Sequence, residues 1–253
     1  LGRRGVVSVS NIGTTDYSVE TARGNTDATP LAIQAKTSDT QLTLTDIWGG
    51  DGDMVWPAFG VGETLEIVST SANDAAAGTG ARTGLYFSLD TDFNEVVTPF
   101  TLNGTTPVTL GAGHHRRQSV RVITGGSSEK NEGKITVQVA GAGAVRAVID
   151  IGRSRNFDGQ FTIPAGKFAV PLYAHTMLNK NYDGFRAFEF RNAAVADSVW
   201  SGNALVPLYQ NIVSFEVRAA GMVPEKTDIN GKVMTSSTGG TCVTIVEFFL
   251  YDM

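Results

Sequence analysis

The sequence predicts an all-β protein: antiparallel β-sandwich or jelly-roll-like, with two packed β domains and an extended N-terminal arm. Three observations predict it. Glycine is abundant, 29 of 253 residues, in a chain rich in threonine, valine and serine, which favours strands joined by tight turns. Short runs of alternating apolar and polar residues are punctuated by turn signals about every ten residues, the spacing of a sandwich or barrel. No apolar 3.6-residue period persists for three turns outside AVADSVW (194–200), which is too short to count as a helix.

Residues 1–46 are polar, threonine-rich and poor in aromatics. They read either as surface strands or as an arm that orders by lying on a neighbouring subunit. The tryptophans of 47-IWGGDGDMVWPAFG-60 flank a turn cluster and mark entry into a first domain, 47–152. Its strands are expected at Thr64–Thr70, Thr83–Asp90, Glu95–Leu102, Ser119–Thr124, Lys134–Ala140 and Ala147–Ile151. Thr91–Asn94 reads as a hairpin turn, and GGSSEKNEG (125–133) as the tip of a second hairpin. The second domain, 153–253, places strands at Gly159–Ile163 and Lys167–Leu178, joined by a turn at Pro164-Ala165-Gly166, then at Phe185–Arg191, Ser214–Ala219, Asp228–Met234 and Cys242–Tyr251.

Composition narrows the function classes. A formal net charge of −5 argues against coating nucleic acid by bulk electrostatics. With Cys242 alone, no intrachain disulfide and no four-cysteine metal site can form, and its apolar alternating context predicts a buried small side chain. No run of about 18 apolar residues exists to span a membrane as a helix. LGRRGVVSVSNIG lacks the apolar core of a signal peptide.

The candidate sites are few. The stretch 71-SANDAAAGTGARTG-84 has the glycine density of a phosphate cradle, but no lysine follows the glycines and Thr83 stands where a dinucleotide fingerprint needs its third glycine. A strand-like run follows, not a helix, so the stretch reads as a glycine-rich connection. Asp90-Thr91-Asp92-Phe93-Asn94 begins like a calcium loop but has Glu95 at the sixth position and Thr101 at the twelfth, so it reads as an Asx-type turn. Asp51-Gly52-Asp53 reads as a turn for want of further ligands. His114-His115-Arg116-Arg117 is the one basic cluster; as neighbours on a strand the two imidazoles diverge, so no metal is expected there. With Arg3 and Arg4, this cluster is the candidate interaction patch, for an acidic neighbour or DNA. His175, in another strand, reads as half-buried. No serine stands in a G-x-S-x-G context, and no catalytic residue, metal or cofactor is expected. Trp48, Trp56, Tyr182 and Trp200 are the aromatics that can stack on a sugar if exposed.

The stretch Ser69–Val108, STSANDAAAGTGARTGLYFSLDTDFNEVVTPFTLNGTTPV, resembles a recurrent module of tailed-phage virion proteins common among marine phages. The similarity continues in order through Ile123–Ile135, Phe161–Leu172, Pro224–Met234 and Thr241–Asp252, and so covers the chain from about Trp48 onward. Gly84, where the family usually has a β-branched residue, and His114–Arg117 depart from its pattern. The resemblance implies a non-enzymatic virion component, assembled in the cytoplasm of a bacterial host. A capsid decoration or head-fibre protein is the first expectation; a neck or tail accessory protein and a host-glycan-binding adsorption module are the alternatives. The expected partners are its own copies, with a trimer as first guess, and other virion proteins such as the major capsid, neck or tail proteins. Neither membrane nor nucleic acid is expected as a partner; a glycan is admitted.

Overall fold

The computed structural model describes residues 24, 26–179, 183–201, 206–208, 212–216 and 221–253. Among these there is no helix, and every strand pairing is antiparallel. The strands are β1 (Ala28–Thr37), β2 (Thr45–Asp46), β3 (Glu63–Ser69), β4 (Ala81–Leu89), β5 (Glu95–Thr101), β6 (Val108–His114), β7 (Arg116–Gly125), β8 (Ile135–Val139) and β9 (Val145–Ile149). They continue with β10 (Gln160–Thr162), β11 (Lys167–Leu178), β12 (Gly184–Asn192), β13 (Val206–Leu208), β14 (Ile212–Glu216), β15 (Thr227–Thr235) and β16 (Cys242–Asp252).

Two sandwiches result. The first sets the sheet β6-β3-β8-β9 against β5-β4-β7. Alternation along β3 and β8 turns Leu65, Ile67, Ile135 and Val137 inward, where they meet Tyr86, Phe100 and Val120 from the facing sheet. The second sets β1-β16-β11-β14 against β10-β15-β12-β13, with β2 added on β15. Its core joins Ile33, Ala174, Val246, Phe248 and Leu250 of one sheet to Phe161 and Ile229 of the other. Setting β2 aside, the eight strands taken in chain order lie 1-8-3-6 in one sheet and 2-7-4-5 in the other. Every connection except that between β12 and β13, which are neighbours in one sheet, then crosses from sheet to sheet, which is the jelly-roll arrangement.

Strand order also revises the division of the chain. β1 and β2 belong to the second sandwich: β1 pairs along its whole length with β16, from Ala28↔Tyr251 to Thr37↔Cys242. The described part of the expected arm, from Ala28 on, is therefore an edge strand bound to its own chain. The jelly roll is discontinuous in sequence, and the first sandwich is inserted between its strands β1–β2 and β10.

The expected hairpin at Thr91–Asn94 forms, with Leu89 opposite Glu95. Asp90 Oδ1 accepts the amides of Asp92 and Asn94, each at 2.9 Å, the Asx-type turn its sequence suggested. The expected hairpin around 125–133 does not form. β7 pairs with β4 and β8 with β3, so this connection crosses between sheets.

Candidate functional site

That crossing loop leads to the glycine-rich stretch. Asp74 is fully buried, and its carboxylate accepts hydrogen bonds from the amides of Ala81 (2.8 Å), Glu132 (2.9 Å) and Gly133 (2.9 Å) and from Ser69 Oγ (2.5 Å). The loop 125–133 is also tied back by Gly126 N to Gly80 O and by Ser128 N to Thr79 O. Gly80 is required by close approach: a Cβ there would overlap Asp74 Oδ1. The stretch does cradle an anion, but the anion is the side chain of Asp74, which staples the start of β4 to the start of β8. Gly84 has a comparable reason, because a Cβ there would overlap Phe100 and the Arg121 carbonyl. The ring of Phe100 thus takes the space a β-branched residue would need.

The basic cluster lies inside the molecule, not on its surface. His114, His115, Arg116 and Arg117 are all buried where the two sandwiches meet. Arg116 Nε donates to Asp228 Oδ1 at 2.9 Å, and Arg191 Nε donates to Asp228 Oδ2 at 2.9 Å. Asp228, on β15, is completely buried and also accepts from Thr162 Oγ1 at 2.7 Å. Arg117 pairs with Asp158 at 2.9 Å and donates to Gln160 Oε1 at 3.2 Å. Arginines of β7, in the first sandwich, are therefore neutralised by acids of the second. Burial and the neighbouring Arg191 hold the Arg116 guanidinium below its usual range, against the pull of Asp228. The expectation of an outward-facing patch is corrected for His114, His115, Arg116 and Arg117: β6 and β7 extend up to the cluster, so these residues are strand ends packed into the joint. Arg3 and Arg4 lie outside the described residues.

The two imidazoles diverge as expected. His114 lies 2.8 Å from Ser88 Oγ through Nδ1 and 3.1 Å from the Leu110 carbonyl through Nε2, and it packs edge-on against Tyr86. Ser88 and His114 superficially resemble a nucleophile and its base. Both are buried, however, and the second ring nitrogen is taken by a carbonyl where a catalytic pair needs an orienting carboxylate. His115 Nδ1 lies 2.9 Å from the Val61 carbonyl and its ring meets Phe93 edge-on. Burial pulls its pKa down.

Around this joint Arg191 stacks among three aromatic rings: its guanidinium carbon lies 5.0 Å from the Trp56 centroid, 4.9 Å from Phe59 and 4.4 Å from Trp200. Trp56 and Trp200 are half-buried, 5.2 Å apart and tilted by 59°. Sequence reasoning missed Arg191, Asp228 and Asp158; their pairing joins segments more than 35 residues apart and leaves no local pattern. Trp48 is buried and donates its indole N–H to Gly52 O, so it offers no sugar platform. Tyr182 lies outside the described residues. Asp53 accepts the Asp46 amide, as a turn residue would, and no group of three or more His, Cys, Asp or Glu able to hold a metal occurs among the described residues. A groove of about 410 Å³ runs between β1 and the first sandwich, bordered by Leu31, Ile33, Phe87, Val97, Arg121 and Arg155.

No family model matches the chain, and no curated protein matches it. Among solved structures, that of infectious bursal disease virus strain Gx aligns over 89% of this chain and 76% of its own, at 9% identity and a TM-score of 0.19. The T=1 particle derived from infectious bursal virus aligns over 89% and 74%, at 9% identity and a TM-score of 0.13. The VP2 subviral particle of infectious bursal disease virus aligns over 89% and 77%, at 10% identity and a TM-score of 0.10. Likeness at this level carries no residue correspondence, and the jelly-roll assignment rests on strand order alone.

Proposed function

We propose that the chain is a non-enzymatic structural protein of a phage particle, of the capsid-decoration or head-fibre kind. The observation that carries this reading is the use the chain makes of its glycine-rich stretch and its basic cluster. Asp74, Gly80 and the loop they anchor form an internal staple, and the one basic cluster is spent on Asp228 and Asp158. Residues that would mark a catalytic or nucleic-acid site by sequence serve here to brace the first sandwich from within and to tie it to the second. That is what permanent assembly asks of a subunit.

Mass spectrometry of purified particles of the encoding phage tests the reading: the chain is expected among the virion proteins at stoichiometric abundance, and its absence would refute it. Antibody labelling then separates positions, with label spread over the head faces supporting decoration and label at one vertex supporting a neck or tail accessory role. One observation favours a second reading. Trp56 and Trp200 converge at the surface of the joint, as paired rings for a host glycan would. Binding on a glycan array that is lost in Trp200→Ala would support an adsorption module.

A further inference from the structure

We propose that the groove between β1 and the first sandwich is a docking site for an extended acidic peptide of a partner protein, which adds as a strand to the free edge of β1. This inference goes beyond the virion reading and does not depend on it. The groove is the inside of a corner. After β9 the segment 153–157 runs along the edge of β7: Val122 N donates to Ser154 O at 2.7 Å, Asn156 N donates to Val120 O at 3.2 Å, and Arg121 stands opposite Arg155. Lys36 N then donates to Phe157 O at 3.0 Å, so β1 rises from the far side of this segment. One wall is therefore the outer face of β5-β4-β7, and the other is β1 from Thr29 to Gln34. The volume between them, about 410 Å³, is that of a ligand site.

Backbone direction and charge together specify the occupant. β16 takes one edge of β1, and the Lys36 N–H points from the other. Backbone direction alternates along a strand, so the N–H groups of Ala32 and Gln34 and the carbonyls of Pro30 and Ala32 face the same way, into the groove. The complement of such an edge is another extended backbone. Opposite it Phe87 and Val97, paired across β4 and β5, make an apolar strip, with Val97 53% exposed. The charge lies at one end. Facing residues of an antiparallel pair share a face, so Arg121 and Arg155 project side by side, an arrangement of like charges that is unfavourable by itself. Arg116, Arg117, Arg146 and Arg191 each have a carboxylate partner, whereas among the described residues Arg121 and Arg155 have none. Arg121 lies over Phe87 and Arg155 over Phe157, each at 5.3 Å, which holds the guanidiniums in place and leaves N–H edges for an acceptor. Their printed side-chain acceptors are neutral: Ser119 Oγ at 3.4 Å for Arg121 and Gln34 Oε1 for Arg155. Glu95, the exposed acid on this wall, stands four residues along β5 from Pro99, the residue in the row of Arg121, and so about 14 Å away. An acidic side chain of the peptide fits the arginine end, and an apolar one fits over Phe87 and Val97.

Selection of random displayed decapeptides on the immobilised full chain tests this. The enriched sequences are expected to combine Asp or Glu with β-branched or aromatic residues. A synthetic peptide of the enriched sequence is expected to lose about 10-fold or more in affinity to the double variant Arg121→Glu, Arg155→Glu, measured by fluorescence anisotropy. A similar loss is expected in Ala32→Pro, which removes an edge N–H without removing a bond to β16. Circular dichroism checks that both variants fold; should Ala32→Pro fail, N-methylation of the peptide at alternate amides makes the same test on the wild-type chain. Enrichment without acidic residues, or binding indifferent to the arginine reversal, would overturn the proposal. Binding that needs the arginines but survives both backbone changes would overturn it too, since the anion is then held without strand addition. Selection that converges on residues 14–23 of the chain itself, TTDYSVETAR, would assign the groove to its own N-terminal segment. Polygalacturonate binding with no peptide enriched would assign it to an acidic glycan, and either result overturns a protein partner. The virion reading is judged by the composition of particles and stands or falls separately.

Discussion

Replacing Asp74 gives the sharpest test of how the first sandwich is built. Its carboxylate, fully buried, receives three backbone amides and the Ser69 hydroxyl. In Asp74→Ala all four donors lose their acceptor. A buried donor left unsatisfied costs about 1–3 kcal/mol, and water entering the vacated space relieves part of it, so the net loss should be roughly 4–6 kcal/mol. Asp74→Asn keeps the shape but places an amide N–H₂ where Oδ2 stood, facing the Gly133 amide. The Ser69 hydroxyl can turn to accept, so one bond is lost and one donor pair opposed, at about 2–3 kcal/mol. Against domain stabilities of about 5–15 kcal/mol, the alanine variant should lie near the edge of folding. Urea unfolding followed by circular dichroism measures the loss. Hydrogen exchange measures its location, since protection should fall first at the amides of Ala81, Glu132 and Gly133. If Asp74→Ala unfolds within about 1 kcal/mol of wild type with those amides still protected, the carboxylate does not organise the loop, and the account of the glycine-rich stretch is wrong.

The other predictions concern the joint and the jelly-roll core. Asp228→Ala strips two buried guanidiniums of their shared partner and should cost about 3–5 kcal/mol, read by denaturant unfolding and by new proteolytic cuts between the sandwiches. His115 is held below its ordinary pKa of 6.5 by burial. The unfolded chain therefore takes up a proton there before the folded one does, so stability is fully present above about pH 6.5 and declines as pH falls through that value toward the folded pKa. Unfolding at pH 7.5 and 5.5 should show the decline in wild type and a smaller one in His115→Gln. Gly80→Ala should destabilise markedly, whereas Gly221→Ala, with open space at the Cβ position, should be nearly silent in the same thermal melt. Burial pushes the Cys242 thiol up to about 12, so a thiol reagent should label it only after denaturation.

The legible part of the fold was the part written locally. Alternation over Cys242–Tyr251 and Lys167–Leu178 is the pattern of strands with one face in a core, and both strands stand where the alternation puts them. The turn at Thr91–Asn94 was legible because Asp90 makes its hydrogen bonds to the next few residues. Sheet membership was not legible. SVRVIT and KITVQVA look like the arms of a hairpin, yet their alternation is equally satisfied by neighbours in two different sheets; their partners, β4 and β3, come earlier in the chain, and Asp74 ties the connection between the two strands back to the start of β4. The same holds for Ala28–Thr37, where the decisive partner, β16, comes at the far end of the chain.

The basic cluster shows how composition can point the wrong way. Four cationic or ionisable residues in succession are costly to bury, which is why such a run reads as surface. The cost is offset only if acids arrive from elsewhere, and they do: Asp228 and Asp158 are themselves buried and, without Arg116, Arg191 and Arg117, would be equally unfavourable. Each half of the seam therefore requires the other. Removing one partner leaves an uncompensated charge, whereas exchanging the whole set for apolar residues of similar volume need not destabilise the chain. What the ionic seam adds over an apolar one is orientation. Arg191, from the neighbouring strand of the same sheet, fixes one oxygen of Asp228 while Nε of Arg116 crosses the joint to the other, and Arg117 crosses to Asp158, so sliding or rotating one sandwich against the other breaks the Arg116 and Arg117 bonds in a way that an apolar contact would tolerate.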